Sequence, residues 1–583
     1  MYFSSHSWFV DRYKSQLFSL LVTCYLFLPI SGIAQQRYDT NFSRVSPVVA
    51  KKGMVSTENF LATQVGLDIL KRGGNAVDAA VAVGFALAVV LPDAGNIGGG
   101  GFMMVYSAKH KETLAFDFRE IAPLRASKNM FLGSDHKPVQ GLSTTSPLAV
   151  GVPGTVAGFE LALKKYGSMR LKDLVAPAIR LAEEGFVVTP YLQAMLETAE
   201  PSLGKWDSTR AIFFRNGRPL RAGERLIQRD LAGSLRLIAK GGSKAFYQGS
   251  IARKIVADMQ KHGGLISQKD FDQYRVVVRH PVEGSYRGYK VLSMPPPSSG
   301  GVHLIQMLNV LENFPPEVLA EDSASRLHLF AETMKFAYAD RAKFLGDPDF
   351  VKVPHEWLVS KEYARNISLE IDQNRAIPAS TIHGGKPPSF ESDETTHFTV
   401  VDKFGNVAST TYTLNLLFGS GMVASGTGIL LNNEMDDFAT GPGIPNSFGL
   451  VSGPQNLIEP GKRPLSSMTP TIIFKNDRPY LVTGSPGGSR IITTVLQVIS
   501  NVIDRGLNVA EATLAPRIHH QWNPDSLRLE NGFSLETRNS LLGLGHTFYI
   551  GKTMGRTQTV LFEGDRIEGF SDTRNPDGLV MGY

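Results

Sequence analysis

Cysteine is almost absent from this 583-residue chain: Cys24 stands alone, close to the amino terminus. Past that point there is no thiol to act as a nucleophile, no pair to close a disulfide and no thiolate to ligate a soft metal. Export is still compatible with this, because a chain of such length buries a core large enough to do without disulfides. No low-complexity Ser/Gly/Pro linker separates autonomous halves, and no internal repeat is visible. The formal net charge of +6 is small for the length. Its basic residues form no stripe interleaved with aromatics, which argues against a nucleic-acid partner. Two apolar runs, Leu17–Leu28 and Ala76–Leu91, fall short of the ~20 residues that a membrane span needs.

What is present describes a globular protein, with 42% hydrophobic residues and ordinary glycine and proline counts. Arg12 and Lys14 precede the first apolar run, and Gly32-Ile33-Ala34 supplies small residues behind it. That layout predicts a secretory signal peptide, residues 1–34, cut after Ala34, and a periplasmic or extracellular destination. An uncleaved anchor is the alternative reading of the same segment.

The pattern over 57–72 predicts an amphipathic helix stopped by Gly73-Gly74. Residues 76–91 are apolar on nearly every face except at Asp78, as in a buried core helix. Gly98-Gly99-Gly100-Gly101 leads into a strand, Phe102–Tyr106, with Thr113–Phe118 as its hairpin partner. No Lys-Ser/Thr follows these glycines, so tight backbone packing explains them better than a phosphate cradle. From about 155 to 380 the pattern is mostly helical, broken at Gly167-Ser168, Gly204–Asp207 and Gly241–Ser243. From 395 strands dominate again, before helices at Ile491–Val502 and Ala510–Leu514. Such an order lacks the regular alternation of a doubly wound sheet and predicts an α+β fold.

The most informative segment is Thr395-Thr396-His397-Phe398-Thr399-Val400-Val401-Asp402. A polar, linker-like stretch, Gly384 to Glu394, precedes it, and its own β-branched alternation marks a strand. A threonine at the start of a strand after an exposed loop suits a self-cleaving N-terminal nucleophile. Its hydroxyl would attack the carbonyl of Glu394, and hydrolysis of the resulting ester would free the Thr395 α-amine. An α-amine titrates near ~8, close to what a general base at neutral pH requires. Nucleophile and base would then share one residue. Threonines opening strands are common, so the tripeptide alone carries little weight.

The surrounding motifs carry more. Downstream stand Gly405-Asn406-Val407-Ala408-Ser409-Thr410-Thr411-Tyr412-Thr413-Leu414-Asn415 and Leu431-Asn432-Asn433-Glu434-Met435-Asp436-Asp437-Phe438. Next come Lys462-Arg463-Pro464-Leu465-Ser466-Ser467-Met468-Thr469-Pro470 and Gly484-Ser485-Pro486-Gly487-Gly488-Ser489-Arg490. In order and spacing these resemble the small subunit of γ-glutamyltranspeptidases. Asp117-Phe118-Arg119-Glu120, Gly151-Val152-Pro153-Gly154 and Pro295-Pro296-Pro297-Ser298-Ser299-Gly300-Gly301 resemble the large subunit. The resemblance implies an N-terminal nucleophile hydrolase with a four-layer αββα sandwich. It also implies a large subunit, residues 35–394, and a small subunit, residues 395–583, that stay associated as a heterodimer.

By the same resemblance, the amides of Gly487 and Gly488 form the oxyanion hole and Thr413 orients the nucleophile. A γ-glutamyl group carries a free α-carboxylate and a free α-ammonium, so its site needs both signs of charge. Arg119 can grip the carboxylate bidentately, with hydroxyls from Ser466 and Ser467. Asp437, assisted by Glu434 and Asn415, would hold the ammonium. His397 shares the face of Thr395 but reads as structural, and His519-His520 would point apart on a strand rather than bind a metal together. Thr440 to Phe448 matches a lid loop. Some relatives carry tyrosine where Phe448 stands, and phenylalanine keeps the wall while losing a hydrogen-bond donor.

The expected activity is transfer of the γ-glutamyl group of glutathione or related γ-glutamyl amides to water, amino acids or dipeptides, with no metal and no organic cofactor. A β-lactam side-chain acylase cleaving glutaryl amides is the nearest rival, and the intact Asp437 counts against it. A non-catalytic binding protein on the same scaffold is the second rival. It would be favoured by loss of Thr395, Arg119 or the Gly487-Gly488 turn, and all are retained.

Overall fold

Alternation along the strand Thr396–Val401 sends Phe398 and Val400 to one face and His397, Thr399 and Val401 to the other. Both faces are covered. The computed structural model describes residues 45–382, 395–441 and 444–583, and residues 46–583 form one compact unit. In it the strand sits near the middle of a seven-stranded antiparallel sheet. The order is Leu579–Gly582, Met54–Thr57, Thr396–Val401, Val407–Thr413, Gly100–Ser107, Glu112–Asp117 and Val277–Arg279. A second seven-stranded antiparallel sheet runs Val48–Ala50, Arg566–Ser571, Gln558–Glu563, Arg478–Thr483, Thr471–Lys475, Tyr289–Ser293 and Val282–Tyr286.

The facing sides share one apolar layer, with Phe102 and Met104 from the first sheet against Ile472, Val482 and Val560 from the second. Behind the first sheet lie the helices Phe60–Lys71, Ala76–Val90, Leu171–Glu184 and Arg229–Tyr247, packed with Phe116, Phe398 and Tyr412. Behind the second lie Gly300–Leu311, Ala324–Phe344 and Ile491–Ile503, packed with Ile473, Leu481 and Leu561. The result is the α+β, four-layer αββα sandwich. Each sheet interleaves strands from before residue 382 with strands from after residue 395.

Local chemistry accounts for the element boundaries. Asn59 caps the helix Phe60–Lys71 by accepting from the Leu61 N–H, and Gly73 turns the chain out at φ 93°. Asp78 is tolerated on the fully buried helix Ala76–Val90 because it closes a capping box with Asn75 and accepts from the N–H groups of Ser168 and Met169. The glycine run is packed against backbone: a Cβ on Gly99 would lie 2.1 Å from the Thr413 carbonyl oxygen, and one on Gly101 2.4 Å from that of Thr411.

Two expectations need correction. The stretch read as mostly helical contains the three strands Val277–Arg279, Val282–Tyr286 and Tyr289–Ser293, which complete the edges of both sheets. Their hairpin turns at Arg287-Gly288, both at positive φ, a tight-turn signal that the helical pattern on either side obscured. The break at Gly241–Ser243 is a kink at Gly242 inside Arg229–Tyr247 rather than a helix end. The expected signal peptide, the polar linker with Glu394, and the lid residues Pro442 and Gly443 lie outside the described residues. Among those described, no helix is long and apolar enough to cross a membrane.

Candidate active site

The register that pairs Thr396 with Tyr412 sets Thr395 opposite Thr413, at the ends of two neighbouring strands. The Thr395 Oγ1 donates to Thr413 Oγ1 at 3.4 Å, and that oxygen also accepts from the Asn415 N–H at 2.8 Å. The Thr395 carbonyl accepts from Arg556 Nη2 at 3.4 Å. Arg556 is itself braced by Glu58, whose second oxygen accepts from the His397 N–H at 3.2 Å. The nucleophile candidate is thus 4% exposed and fixed from both sides.

A small cavity of about 20 Å³ lies over it, room for about one water. Around it stand Thr395, Thr413, Asn415, Arg119, Glu434, Asp437, Ser466, Ser467, Phe448 and Gly488, so ten predicted residues from distant parts of the chain converge. Gly487 stands beside Gly488 without lining the cavity.

Arg119, buried, donates to Glu434 and to Asp437, the latter at 2.5 Å, while Nε holds the Pro464 carbonyl at 3.3 Å. Carboxylate and guanidinium therefore neutralise each other where the sequence reading separates them into two ends of a ligand. Asp437 also accepts from Asn446 Nδ2 at 2.9 Å. Burial works against the Arg119 charge, but the carboxylates of Glu434 and Asp437 hold its pKa above the ordinary value. Burial lifts Asp437, and lifts Glu434 well above the usual carboxylate range, with Arg119 opposing both. Glu120, 3.8 Å from Arg119, is pushed up to about 7 by burial.

Sequence reasoning missed two members of this network. Arg341, from the helix Ala324–Phe344, reaches Ser299 Oγ at 3.0 Å and Ser467 Oγ at 3.4 Å, and burial lowers its pKa to about 10. Arg556 lies 161 residues from the threonine it touches. Neither belongs to a local pattern, so long-range packing alone reveals them.

Gly487 and Gly488 sit at φ 131° and 53°, where a side chain would be strained. They begin the turn Gly488–Arg490 that leads into Ile491–Ile503. A Cβ on Gly488 would lie 2.2 Å from Phe448 Cδ1, so the Phe448 ring rests directly on this glycine. The N–H groups of both glycines donate to no described residue.

His397 is fully buried between Thr411 Oγ1 at 2.8 Å and Thr399 Oγ1 at 3.2 Å, and burial drops its pKa to about 3. It is a packing residue. His519 bonds Thr493 and Gln521 while His520 faces Asp525, so the two do point apart. Among the described residues, His328, Glu332 and His546 bring three ligand atoms within 4.8 Å. Their cationic partner is already present, for Lys335 Nζ donates to Glu332 at 2.8 Å and the two imidazoles bond each other at 2.7 Å. This cluster lies apart from the cavity lining.

The fold and this constellation define an N-terminal nucleophile hydrolase, an enzyme that transfers and hydrolyses acyl groups. Residues 62–582 match the family Gamma-glutamyltranspeptidase, and the chain belongs to that family. It is 54% identical over 539 residues to a glutathione hydrolase proenzyme of Escherichia coli (strain K12), covering 92% of this chain and 93% of the relative. An acylase ACY 1 proenzyme of Pseudomonas sp. (strain V22) is 38% identical over 92% of each chain. Among solved structures, a cephalosporin acylase from Bacillus halodurans superposes with a TM-score of 0.83 at 31% identity, covering 94% of this chain and 99% of the other. The Helicobacter pylori gamma-glutamyltranspeptidase gives 0.56 at 46% identity, covering 59% of this chain and 97% of that one.

Proposed function

We propose that the protein is an exported, self-processing γ-glutamyltransferase and glutathione hydrolase working through an ester on Thr395. The observation that carries this reading is the small cavity that Thr395 lines together with Arg119, Glu434 and Asp437. An internal pair of opposite charges can be exchanged for a ligand carrying both. The α-carboxylate of a γ-glutamyl group takes Arg119 with Ser466 and Ser467. Its α-ammonium takes Asp437, with Glu434 and Asn415. Each buried charge keeps a partner, so the exchange avoids the penalty of roughly 3–5 kcal/mol for an orphaned one.

In maturation the Thr395 hydroxyl attacks the Glu394 carbonyl, and hydrolysis of the ester releases the α-amine. That amine then accepts the hydroxyl proton as Thr395 Oγ1 attacks the γ-carbonyl of a donor such as glutathione. The N–H groups of Gly487 and Gly488 stabilise the oxyanion, a contribution typically of about 3–4 kcal/mol per donor. The leaving amine takes the proton, and water, an amino acid or a dipeptide then attacks the ester. Thr413 orients the hydroxyl, and Phe448 covers the cavity.

Mass analysis of the purified protein tests this reading. Two chains are expected, the smaller beginning at Thr395 and the larger at residue 35, whereas Thr395→Ala stays joined at residue 394. Cleavage of that bond in the alanine variant would overturn the hydroxyl mechanism.

A further inference from the structure

A cut after residue 394 turns Thr395 from an internal residue into a chain end, and chain ends fray unless something ties them down. Ladder pairing of its strand begins one residue later, at Thr396. Arg556 reaches Thr395 itself, with Nη2 donating to the Thr395 carbonyl at 3.4 Å. The backbone N–H of Arg556 donates to Ser485 Oγ at 3.0 Å, just before the Gly487-Gly488 turn. One arginine thus touches both the nucleophile residue and the approach to the glycine turn. Glu58, fully buried, fixes the guanidinium through Nε at 2.6 Å, and Asn575 Nδ2 donates to the same carboxylate oxygen at 3.3 Å. The other Glu58 oxygen accepts from the His397 N–H at 3.2 Å.

This brace carries a charge. Bond lengths keep a residue's nitrogen within about 3.6 Å of its own carbonyl oxygen, so the Thr395 nitrogen lies within about 7 Å of Arg556 Nη2. Freed by the cut, that nitrogen is an α-amine, which in water titrates near ~8 and is mostly protonated at neutral pH. A neighbouring cation disfavours the ammonium form. Over such a distance a partly screened unit charge moves the titration down by about one pH unit, towards what a general base needs. Glu58 opposes this from the Nε side of the guanidinium. Among the described residues, Arg119, Glu434 and Asp437 stand across the cavity and pair among themselves, with Glu120 behind Arg119. His397 is kept neutral by burial, and Asp93 lies within electrostatic reach of Arg556, Glu58 and Asp577.

We propose that Arg556, set in place by Glu58, is a positioning residue for acyl transfer that holds the freed chain end and keeps its α-amine in the base form at neutral pH. The assignment rests on the acyl-transfer reading of Thr395. The amine lone pair takes the Oγ1 proton as the bond from Oγ1 to the acyl carbon forms. The leaving nitrogen takes that proton away as its bond to the acyl carbon breaks. Only the unprotonated amine begins this sequence.

The test is the pH dependence of kcat/KM for γ-glutamyl-p-nitroanilide with processed protein, whose acid limb reports the base in the free enzyme. Glu58→Gln leaves the guanidinium charge uncompensated, and the limb should move to lower pH. Adding Arg556→Gln to that variant removes the charge while keeping an N–H for the Thr395 carbonyl. The limb should then rise by about one pH unit relative to Glu58→Gln alone. A limb that stays in place in both variants, or rises in Glu58→Gln, would overturn the assignment and leave the pair as a brace of the fold. If the double variant does not mature, the sign of the Glu58→Gln shift decides. Asp93→Asn removes the buried carboxyl that titrates in the same range, and the limb should persist there. Its disappearance would assign the limb to Asp93 and also overturn the proposal. Failure of the unsubstituted protein to release p-nitroaniline would instead remove the acyl-transfer reading, and this one with it.

Discussion

Asp93 is buried with neither carboxylate oxygen hydrogen-bonded, and burial raises its pKa to about 7, against the pull of Arg556. A carboxyl raised on folding binds more protons in the native state than in the unfolded one. Its effect is therefore to make stability fall as pH rises from about 4 to about 7. Asp93→Asn removes the ionisation, so its melting temperature should match the parent near pH 4 and exceed it at pH 8, read by calorimetry at both values. A second prediction at this scale separates the proposed donor from glutaryl amides. Asp437→Asn should lower kcat/KM for a γ-glutamyl amide by about a hundredfold or more, the scale of a broken buried charge pair, while sparing the glutaryl amide. Equal losses would remove Asp437 from ammonium recognition. Most cavity residues were legible in the sequence because each sits in a motif with its own spacing. Arg341 was not, because one arginine on a long helix has no local signature, and its contact with Ser467 exists only after the helix packs.

At the level of elements, the segment that carries Phe448 packs directly on the glycine turn. Phe448 is buried against Gly488, whose missing side chain makes room for the ring. Gly488 also lines the cavity over Thr395. Phe448→Tyr adds one hydroxyl, and a neutral hydrogen bond contributes about 0.5–1.5 kcal/mol net. The ratio of hydrolysis to transfer should therefore change by up to about tenfold, with the internal cut unaffected, as measured from both product fluxes at fixed donor and acceptor. An unchanged ratio would show that the ring does not govern closure. The strand Thr396–Val401 was readable from its alternation and β-branched residues. The hairpin Val282–Ser293 was not, since short edge strands beside long helices lack the length on which periodicity depends.

Across the whole molecule, the two products of cleavage after residue 394 would each contribute strands to both sheets. Neither product alone would retain either seven-stranded sheet complete. Processed protein should accordingly melt in a single calorimetric transition containing both chains, and a separate low-temperature transition of one chain would contradict this. The αββα layering could be inferred from the family motifs, but not from composition, because the layers are made by pairings between residues hundreds of positions apart. Such interleaving changes what dilution does. An ordinary heterodimer dissociates once its concentration falls below its Kd, so a nanomolar complex is half apart at nanomolar protein. Two chains that share both seven-stranded sheets would separate only by unfolding, and the pair would stay whole at concentrations where a docked one is lost.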